Sequence, residues 1–211
     1  SYLFISTILI SFILLINGIK PTINFNDPYF FFFSAVASLI PLLIFGCYRI
    51  FKIRKETIKD IGLGREKIIQ GIFFGLLTAL IFNIGINMLD YFLQSVGIRN
   101  TEVEILPILN SLDLRLVLIA VPVVIIAPIS EEMLFRAYYF RVYLEQGKKL
   151  IAYILPAFVW SSLHLSLYNF IPIFIFGLLL SYTYKKYNNL YTPLFAHAAN
   201  NGWAFFVFYY L

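Results

Sequence analysis

Five charged or titratable side chains stand out because they lie within long apolar stretches of the sequence. Glu131, Glu132 and Arg136 form a Glu-Glu-x-x-x-Arg motif in one stretch. His164 and His197, which are the only histidines of the chain, lie in two others. Charged groups inside a membrane are energetically costly and commonly mark a functional site. The sequence therefore predicts a polar site buried inside a largely apolar protein.

Helical spacing gives the two glutamates different surroundings. Glu132 and Arg136 are four residues apart, so on a helix they share a face and can form an ion pair. Glu131 lies about 100° round the helix axis, which directs its carboxylate at a different neighbour. The alternative is that all three side chains form one structural salt-bridge cluster. We predict the split arrangement, with Glu131 as the carboxylate that remains available.

Each histidine shares a helix face with a second side chain. Trp160 precedes His164 by four residues. Asn201 follows His197 by four residues. At about 1.5 Å per residue, Glu131 and His164 lie roughly 21–23 Å from the basic ends of their stretches, and His197 roughly 15 Å. A common depth is compatible with these values and implies a water-filled cavity. The alternatives are core histidines with satisfied hydrogen bonds, and an asparagine that joins two helices.

This set of side chains suits the hydrolysis of a peptide bond. A carboxylate in a pocket of low dielectric becomes a better base near neutral pH, so Glu131 with an imidazole nearby can activate a water molecule. A second imidazole and an amide, those of His197 and Asn201, can donate hydrogen bonds to the oxyanion of a tetrahedral intermediate. The spacing predicts which pairs share a face, and it leaves open whether the three helices meet.

The composition is that of a membrane protein. Of the 211 residues, 61% are hydrophobic and 13% are charged, whereas soluble domains have about 45–50% and about 25%. The mean hydropathy is +0.84. The net charge of +5 comes from basic residues between the apolar stretches, which favours membrane topology over binding to nucleic acid. A single cysteine, Cys47, excludes a disulfide within the chain.

The apolar stretches predict an all-α bundle of about seven transmembrane spans in a single membrane domain, residues 1–211. The first stretch is expected to be a retained membrane helix and not a cleaved signal peptide. Pro122 and Pro128 are predicted kink points in the fourth stretch. Residues 56–67 are expected to form either a short helix on the membrane surface or a solvated loop. The predicted spans are about 2–17, 29–51, 68–96, 112–146, 149–167, 170–184 and 189–210.

Basic residues predict the orientation in the cell membrane. Lys and Arg concentrate on the cytoplasmic side of membrane proteins. Clusters follow the second, fourth and sixth stretches, while the segment after the third contains Glu102, Glu104 and Asp113. Seven alternating spans then place the N-terminus in the cytoplasm and the C-terminus outside.

Three segments resemble the motifs of a known family. SEEMLFR (130–136), WSSLH (160–164) and HAANN (197–201) are similar to the three motifs of the CAAX-protease and bacteriocin-processing family, also called CPBP or Abi. Its members look like intramembrane glutamic endopeptidases. The resemblance covers about residues 112–211, and Trp160 stands where the family usually has Phe.

The resemblance implies roles for the predicted residues. Glu131 and His164 would activate water, and His197 with Asn201 would form the oxyanion site. Glu132, Arg136 and Trp160 would support them. The substrate would be a membrane-associated protein or peptide, either a prenylated CAAX protein or a peptide precursor.

Three alternatives accompany this interpretation. No cofactor is expected, but a glutamate and two histidines could bind zinc with water as the fourth ligand. The protein could also be a non-catalytic membrane scaffold or a bacteriocin-immunity protein of the same fold. A transporter has little support, because neither repeated halves nor paired broken helices occur.

Overall fold

The described residues form a bundle of α-helices. The computed structural model describes residues 27–97 and 115–210, and within these two ranges it contains helices and no strand. The all-α prediction is therefore confirmed, while the predicted first span, 2–17, lies outside the described residues. The helices are α1 Pro28–Ile53, α2 Arg65–Ser95, α3 Leu116–Glu145, α4 Lys149–Ser162, α5 Leu167–Tyr187 and α6 Tyr191–Tyr210.

The bundle exposes many large apolar side chains and buries a group of polar ones among its core residues. Four of its helices, α1, α2, α3 and α5, are long and apolar enough to cross a membrane. Large side chains such as Ile69, Phe73 and Met88 project outward from α2, with exposures of 82%, 63% and 68%. Glu132 and Ser181 are fully buried instead. This distribution is the reverse of that in a soluble protein and identifies the chain as a membrane protein.

Helix α4 is shorter than predicted. A span over 149–167 was expected, but the helix ends at Ser162 after 14 residues. At about 1.5 Å per residue it is roughly 21 Å long, and the apolar core of a bilayer is about 30 Å thick. Leu165 has a φ of 51° and Ser166 caps the start of α5 by accepting a hydrogen bond from the Asn169 N–H. The chain therefore turns before a helix of bilayer length is complete, in a segment where Leu165 and Leu167 are exposed. Backbone that is not helical at membrane depth must be buried in protein or line a water-filled cavity.

Two glycines let α2 and α6 pack closely. A Cβ atom on Gly71 would lie 2.2 Å from the Cβ of Tyr191, and one on Gly75 would lie 2.7 Å from the Cβ of Phe195. Because membrane helices gain little from hydrophobic association, small residues that allow close van der Waals contact stabilise such pairs. This packing fixes α6, and with it His197, against the bundle.

The connection between α1 and α2 is a turn, so the possible surface helix over 56–67 is wrong. Gly62 has a φ of 83°, which favours glycine, and its carbonyl accepts a hydrogen bond from the Leu190 N–H. Ile61 is fully buried beside it. Thr57 donates its N–H and its hydroxyl to Asp60, which lowers the pKa of that carboxyl below its usual value.

Ion pairs join the helices at this end of the bundle, which we call the basic end. Glu56 accepts hydrogen bonds from Arg54 and Arg141, and Arg54 also pairs with Glu145. Several lysines predicted to face the cytoplasm lie at the ends of α4 and α5 that meet here: Lys148, Lys149, Lys185 and Lys186. The clustering agrees with the predicted topology, and which side of the membrane this end faces stays a prediction.

Helix α3 is irregular on both sides of its acidic motif. Its turns over Val121–Ile126 and Met133–Phe140 are π-helical, and the segment between them, Ala127–Glu132, is α-helical. Pro122 lies in the first π-helical turn and Pro128 follows it. Proline has no N–H to donate, so it favours such local rearrangements of the hydrogen bonds.

Candidate active site

The acidic motif lies at the centre of the bundle. Glu131, Glu132 and Arg136 have exposures of 3%, 0% and 1%. The predicted ion pair is present, because the Nη1 atom of Arg136 lies 2.8 Å from Oε1 of Glu132. Glu131 is bonded to Trp160 instead. The two carboxylates therefore have different main partners, while His197 lies near both of them.

Arg136 joins three helices. Besides Glu132, its guanidinium donates to the carbonyl of Gly177 on α5 at 3.2 Å. It also lies over the Trp160 ring of α4, 4.8 Å from the ring centroid. A buried guanidinium needs such a set of acceptors and an aromatic face, because it cannot lose its charge. Arg136 thus holds α4 and α5 against α3 beside the carboxylates.

Glu131 has two neighbours from other helices. The indole N–H of Trp160 donates a hydrogen bond to Oε2 of Glu131. The Nε2 atom of His197 lies 3.9 Å from the same oxygen. The structure therefore brings Glu131, Trp160 and His197 together from α3, α4 and α6.

His197 is held by the other glutamate of the motif. Its Nδ1 atom lies 2.9 Å from Oε1 of Glu132, the oxygen that also pairs with Arg136. The imidazole packs edge-on against Trp160, with centroids 5.2 Å apart, and against Phe176 at 6.2 Å. Since Glu132 can only accept at that oxygen when ionised, Nδ1 carries the proton. Glu132 therefore orients His197 so that Nε2 faces Glu131.

His164 lies outside a helix, which corrects its predicted place in a span. It occupies the turn after α4, where it is half-buried. His164 nevertheless lies beside Trp160, as predicted. The centroids of the two rings are 5.2 Å apart, and Nδ1 of His164 lies 2.8 Å from the Trp160 carbonyl oxygen. In the described part of the chain, no hydrogen bond or ion pair joins His164 to Glu131 or His197. His164 therefore contacts Trp160, which in turn contacts Glu131 and His197.

Asn201 is bonded to α3. Its amide donates to the carbonyl of Val123 at 2.9 Å. The N–H of Ala127 binds the carbonyl of Pro122, five residues earlier. By the same spacing the carbonyl of Val123 would be bonded by residue 128, but Pro128 has no N–H. Asn201 supplies the missing donor and links α6 to the irregular part of α3.

Some contacts of the site could not be predicted from helical spacing. The bond between Glu132 and His197 joins residues 65 apart in the chain. The roles of Phe176 and Gly177 were also missed. A signal for Gly177 exists, because a small residue within an apolar helix often marks a close helix contact. A Cβ there would lie 3.0 Å from the Cβ of Ala157.

The candidate site contains glutamate and histidine, which are residue types that bind zinc. Zinc would need three protein ligands around one point. Among the residues that the structure describes, no three His, Cys, Asp or Glu side chains are grouped so that they could hold a metal ion. One nitrogen of His197 is already bonded to Glu132, and one of His164 to the Trp160 carbonyl.

Comparisons with known proteins agree with the motifs. A family model described as "Type II CAAX prenyl endopeptidase Rce1-like" matches residues 113–203, which include every predicted site residue. A relative from Bacillus subtilis (strain 168), named "Putative membrane peptidase YdiL", is 24% identical over 174 residues, covering 79% of this chain and 68% of that protein. No solved structure matches the chain.

Proposed function

We propose that this chain, which belongs to the CAAX-protease and bacteriocin-processing family of membrane proteases, is an endopeptidase that uses water activated by Glu131. The observation that supports this role is the environment of Glu131. Its carboxylate is 3% exposed and faces Trp160 and His197, while Glu132 is neutralised by Arg136. Only one of the two buried carboxylates is therefore available to take a proton from water.

His164 is suited to bind the same water molecule. Because the Trp160 carbonyl can only accept a hydrogen bond, the Nδ1 atom of His164 must carry a proton. In the neutral ring Nε2 then has a free lone pair. Since His164 is half-buried, water can reach that atom. Glu131 and His164 would both accept hydrogen bonds from the water and raise its nucleophilicity.

His197 and Asn201 are suited to stabilise the oxyanion. Glu131, Glu132 and Arg136 together carry one net negative charge, and a protonated His197 would make the buried group neutral. Its Nε2–H would then be a donor beside Glu131. Asn201 uses one amide hydrogen on the Val123 carbonyl and has a second available. Both donors would act in a site of low dielectric, where such hydrogen bonds are strongest.

The reaction then has two steps. The water oxygen attacks the carbonyl carbon of the peptide bond, and the water proton moves to Glu131. The resulting oxyanion accepts hydrogen bonds from His197 and Asn201. Glu131 next gives the proton to the peptide nitrogen, the C–N bond breaks, and a carboxylic acid and an amine leave. Glu132 and Arg136 hold His197 in place throughout.

This mechanism requires no metal ion. If it is correct, the purified protein will cleave its substrate in the presence of a zinc chelator, and metal analysis will find far less than one zinc per chain. Zinc bound at one per chain, lost together with activity when it is removed, would contradict the mechanism.

The substrate proposed is a membrane-associated protein or peptide in the lipid bilayer. Both a prenylated CAAX protein and a peptide precursor have this character. The chemistry of Glu131 acts on the peptide bond itself and does not distinguish them, so the surface that binds the neighbouring residues must set the choice.

The function can be tested on purified protein in liposomes. A library of membrane-anchored peptides is incubated with the full chain and with the double variant His164→Ala/His197→Ala. We expect new peptide ends, identified by mass spectrometry, with the wild type and none with the variant. Equal products from both would overturn the mechanism. A double variant that retains full function in the cell would favour the scaffold or immunity interpretation.

A further inference from the structure

A large cleft lies at the end of the bundle opposite the basic end. Its volume is about 1010 Å³, and its walls are the last turns of α2 and the first turns of α5. Polar side chains contribute to both walls. They are Asn87, Asp90 and Gln94 on α2 and Tyr168 and Asn169 on α5.

The polar residues of α2 form a stripe that leads toward the site. Asn83, Asn87, Asp90 and Gln94 are spaced by four, three and four residues, so they lie on one face of the helix. The amide of Asn83 donates to the side-chain oxygen of Asn200 at 3.1 Å. Asn200 directly precedes Asn201 of the candidate site. Polar groups on a membrane helix commonly face a water-filled space.

Ring contacts connect the two helices of the cleft walls with the histidine of α6. Phe82 on α2 stacks on Phe176 on α5, with centroids 4.3 Å apart. Phe176 in turn contacts the rings of Trp160 and His197, each at 6.2 Å. A series of ring contacts therefore runs from α2 through α5 to the site. The α5 wall begins at Leu167, three residues after His164.

Asp90 gives the cleft a charge that no basic residue in the described ranges compensates. The Tyr168 hydroxyl and the Gln94 amide both donate to its carboxylate. These donors are neutral, and no Lys, Arg or His in the described residues forms an ion pair with Asp90. The carboxylate is half-buried on the polar stripe of α2. A cationic group entering the cleft would therefore find an electrostatic partner there.

We propose that this cleft binds the substrate as an extended peptide with a lysine or arginine opposite Asp90. The inference rests on the proposed endopeptidase function and adds a basis for its specificity. Asp90 lies eight residues beyond Phe82, or roughly 12 Å along the helix. An extended chain advances about 3.3 Å per residue. An extended peptide would thus need about four residues to reach the level of Phe82, and the bond that is cleaved would lie beyond them.

A binding experiment tests the proposal without relying on cleavage. The probes are two fluorescent, palmitoyl-anchored decapeptides of Ala and Ser that differ only in a central Lys or Gln. They are titrated against the detergent-solubilised full chain carrying Glu131→Gln. We expect the Lys peptide to bind about fivefold more tightly, as for a partly exposed ion pair. Adding Asp90→Asn should remove the difference.

Two further variants, each added to Glu131→Gln, separate charge from structure. Tyr168→Phe removes a hydrogen bond to Asp90 but keeps its charge, so the preference for Lys should remain. Glu66→Gln removes an exposed carboxylate at the basic end and should change nothing. Equal binding of the two peptides before Asp90 is changed, including no binding of either, would overturn the proposal. A loss of the preference for Lys in Tyr168→Phe that is as large as the loss in Asp90→Asn would also overturn it. Because no cleavage is read, a failed cleft proposal and a failed endopeptidase mechanism are distinguishable.

Discussion

Trp160 connects more of the candidate site than any other aromatic residue described. Its N–H binds Glu131, its ring lies under the Arg136 guanidinium, and both histidines pack against its edges or face. The usual family residue at this position, Phe, has a ring of similar kind but no N–H. The hydrogen bond to Glu131 therefore requires a tryptophan at this position. It holds in place the carboxylate that the proposed mechanism uses.

Replacing Trp160 with Phe tests that hydrogen bond. The ring contacts are largely kept, but Glu131 loses a buried donor, so we expect kcat/KM to fall by about tenfold, the equivalent of one hydrogen bond to a charged group. Trp203→Phe is the matched control, because Trp203 is the other tryptophan of the chain and is 47% exposed. Equal activity of Trp160→Phe and wild type would show that the hydrogen bond has no role in the reaction.

Glu132 has a structural role that can be measured as stability. Replacing it with Gln leaves Arg136 buried without its carboxylate and offers His197 a neutral, weaker acceptor. Breaking a buried ion pair from one side costs about 3–5 kcal/mol. We expect a loss of that size in the free energy of unfolding in detergent, and the double variant Glu132→Gln/Arg136→Met should recover part of it. A Glu132→Gln protein as stable as wild type would contradict the role.

At the scale of single residues, sequence predicts what lies on one helix. The Glu132–Arg136 pair follows from spacing alone, and so does the contact of Trp160 with His164. The contact of Glu132 with His197 does not, because it depends on how α3 and α6 pack. Spacing predicts Glu131 as the available carboxylate. It does not predict that the Trp160 N–H on another helix donates to it.

At the scale of elements, the glycines of α2 determine how closely α6 approaches. Gly71→Ala would place a Cβ atom 2.2 Å from that of Tyr191, whereas a Cβ on Gly85 of the same helix would meet nothing within 4 Å. We expect Gly71→Ala to destabilise the protein by about 1–3 kcal/mol through overpacking. Gly85→Ala should be neutral or stabilise it by about 0.5–1 kcal/mol through helix propensity.

Unfolding of both variants in detergent checks this prediction. The comparison controls for propensity, since both changes are Gly to Ala within α2. If Gly71→Ala and Gly85→Ala have the same free energy of unfolding, close packing of α2 and α6 does not stabilise the bundle.

The boundary of α4 shows why an element can be misplaced from sequence. Residues 149–167 are apolar enough to read as one span, and hydropathy does not register a turn inside it. The signal for the turn was local. Ser166 precedes Leu167 and caps α5 through the Asn169 N–H, as serine commonly does at a helix start. The helix end places His164 in a turn, where water can reach it.

At the scale of the whole molecule, the orientation in the membrane decides which side the cleft faces. The basic end is predicted to be cytoplasmic. In a Cys47→Ser background, Lys185→Cys tests the basic end and Ser95→Cys the opposite end, and both positions are exposed. We expect a membrane-impermeant thiol reagent to label Ser95→Cys in intact cells, and Lys185→Cys only after the cells are opened. The opposite pattern would reverse the topology and place the cleft at the cytoplasmic face.

The rate of peptide cleavage by Glu131→Gln tests the central claim most directly. The substitution keeps the size of the side chain and removes its ability to take a proton from water. The two proteins are compared in the same liposomes, once their unfolding temperatures have been measured and found to be the same. We predict that the cleavage rate falls by about a thousandfold, as expected for loss of a general base. Cleavage by Glu131→Gln at the wild-type rate would contradict the assignment of Glu131 as the base.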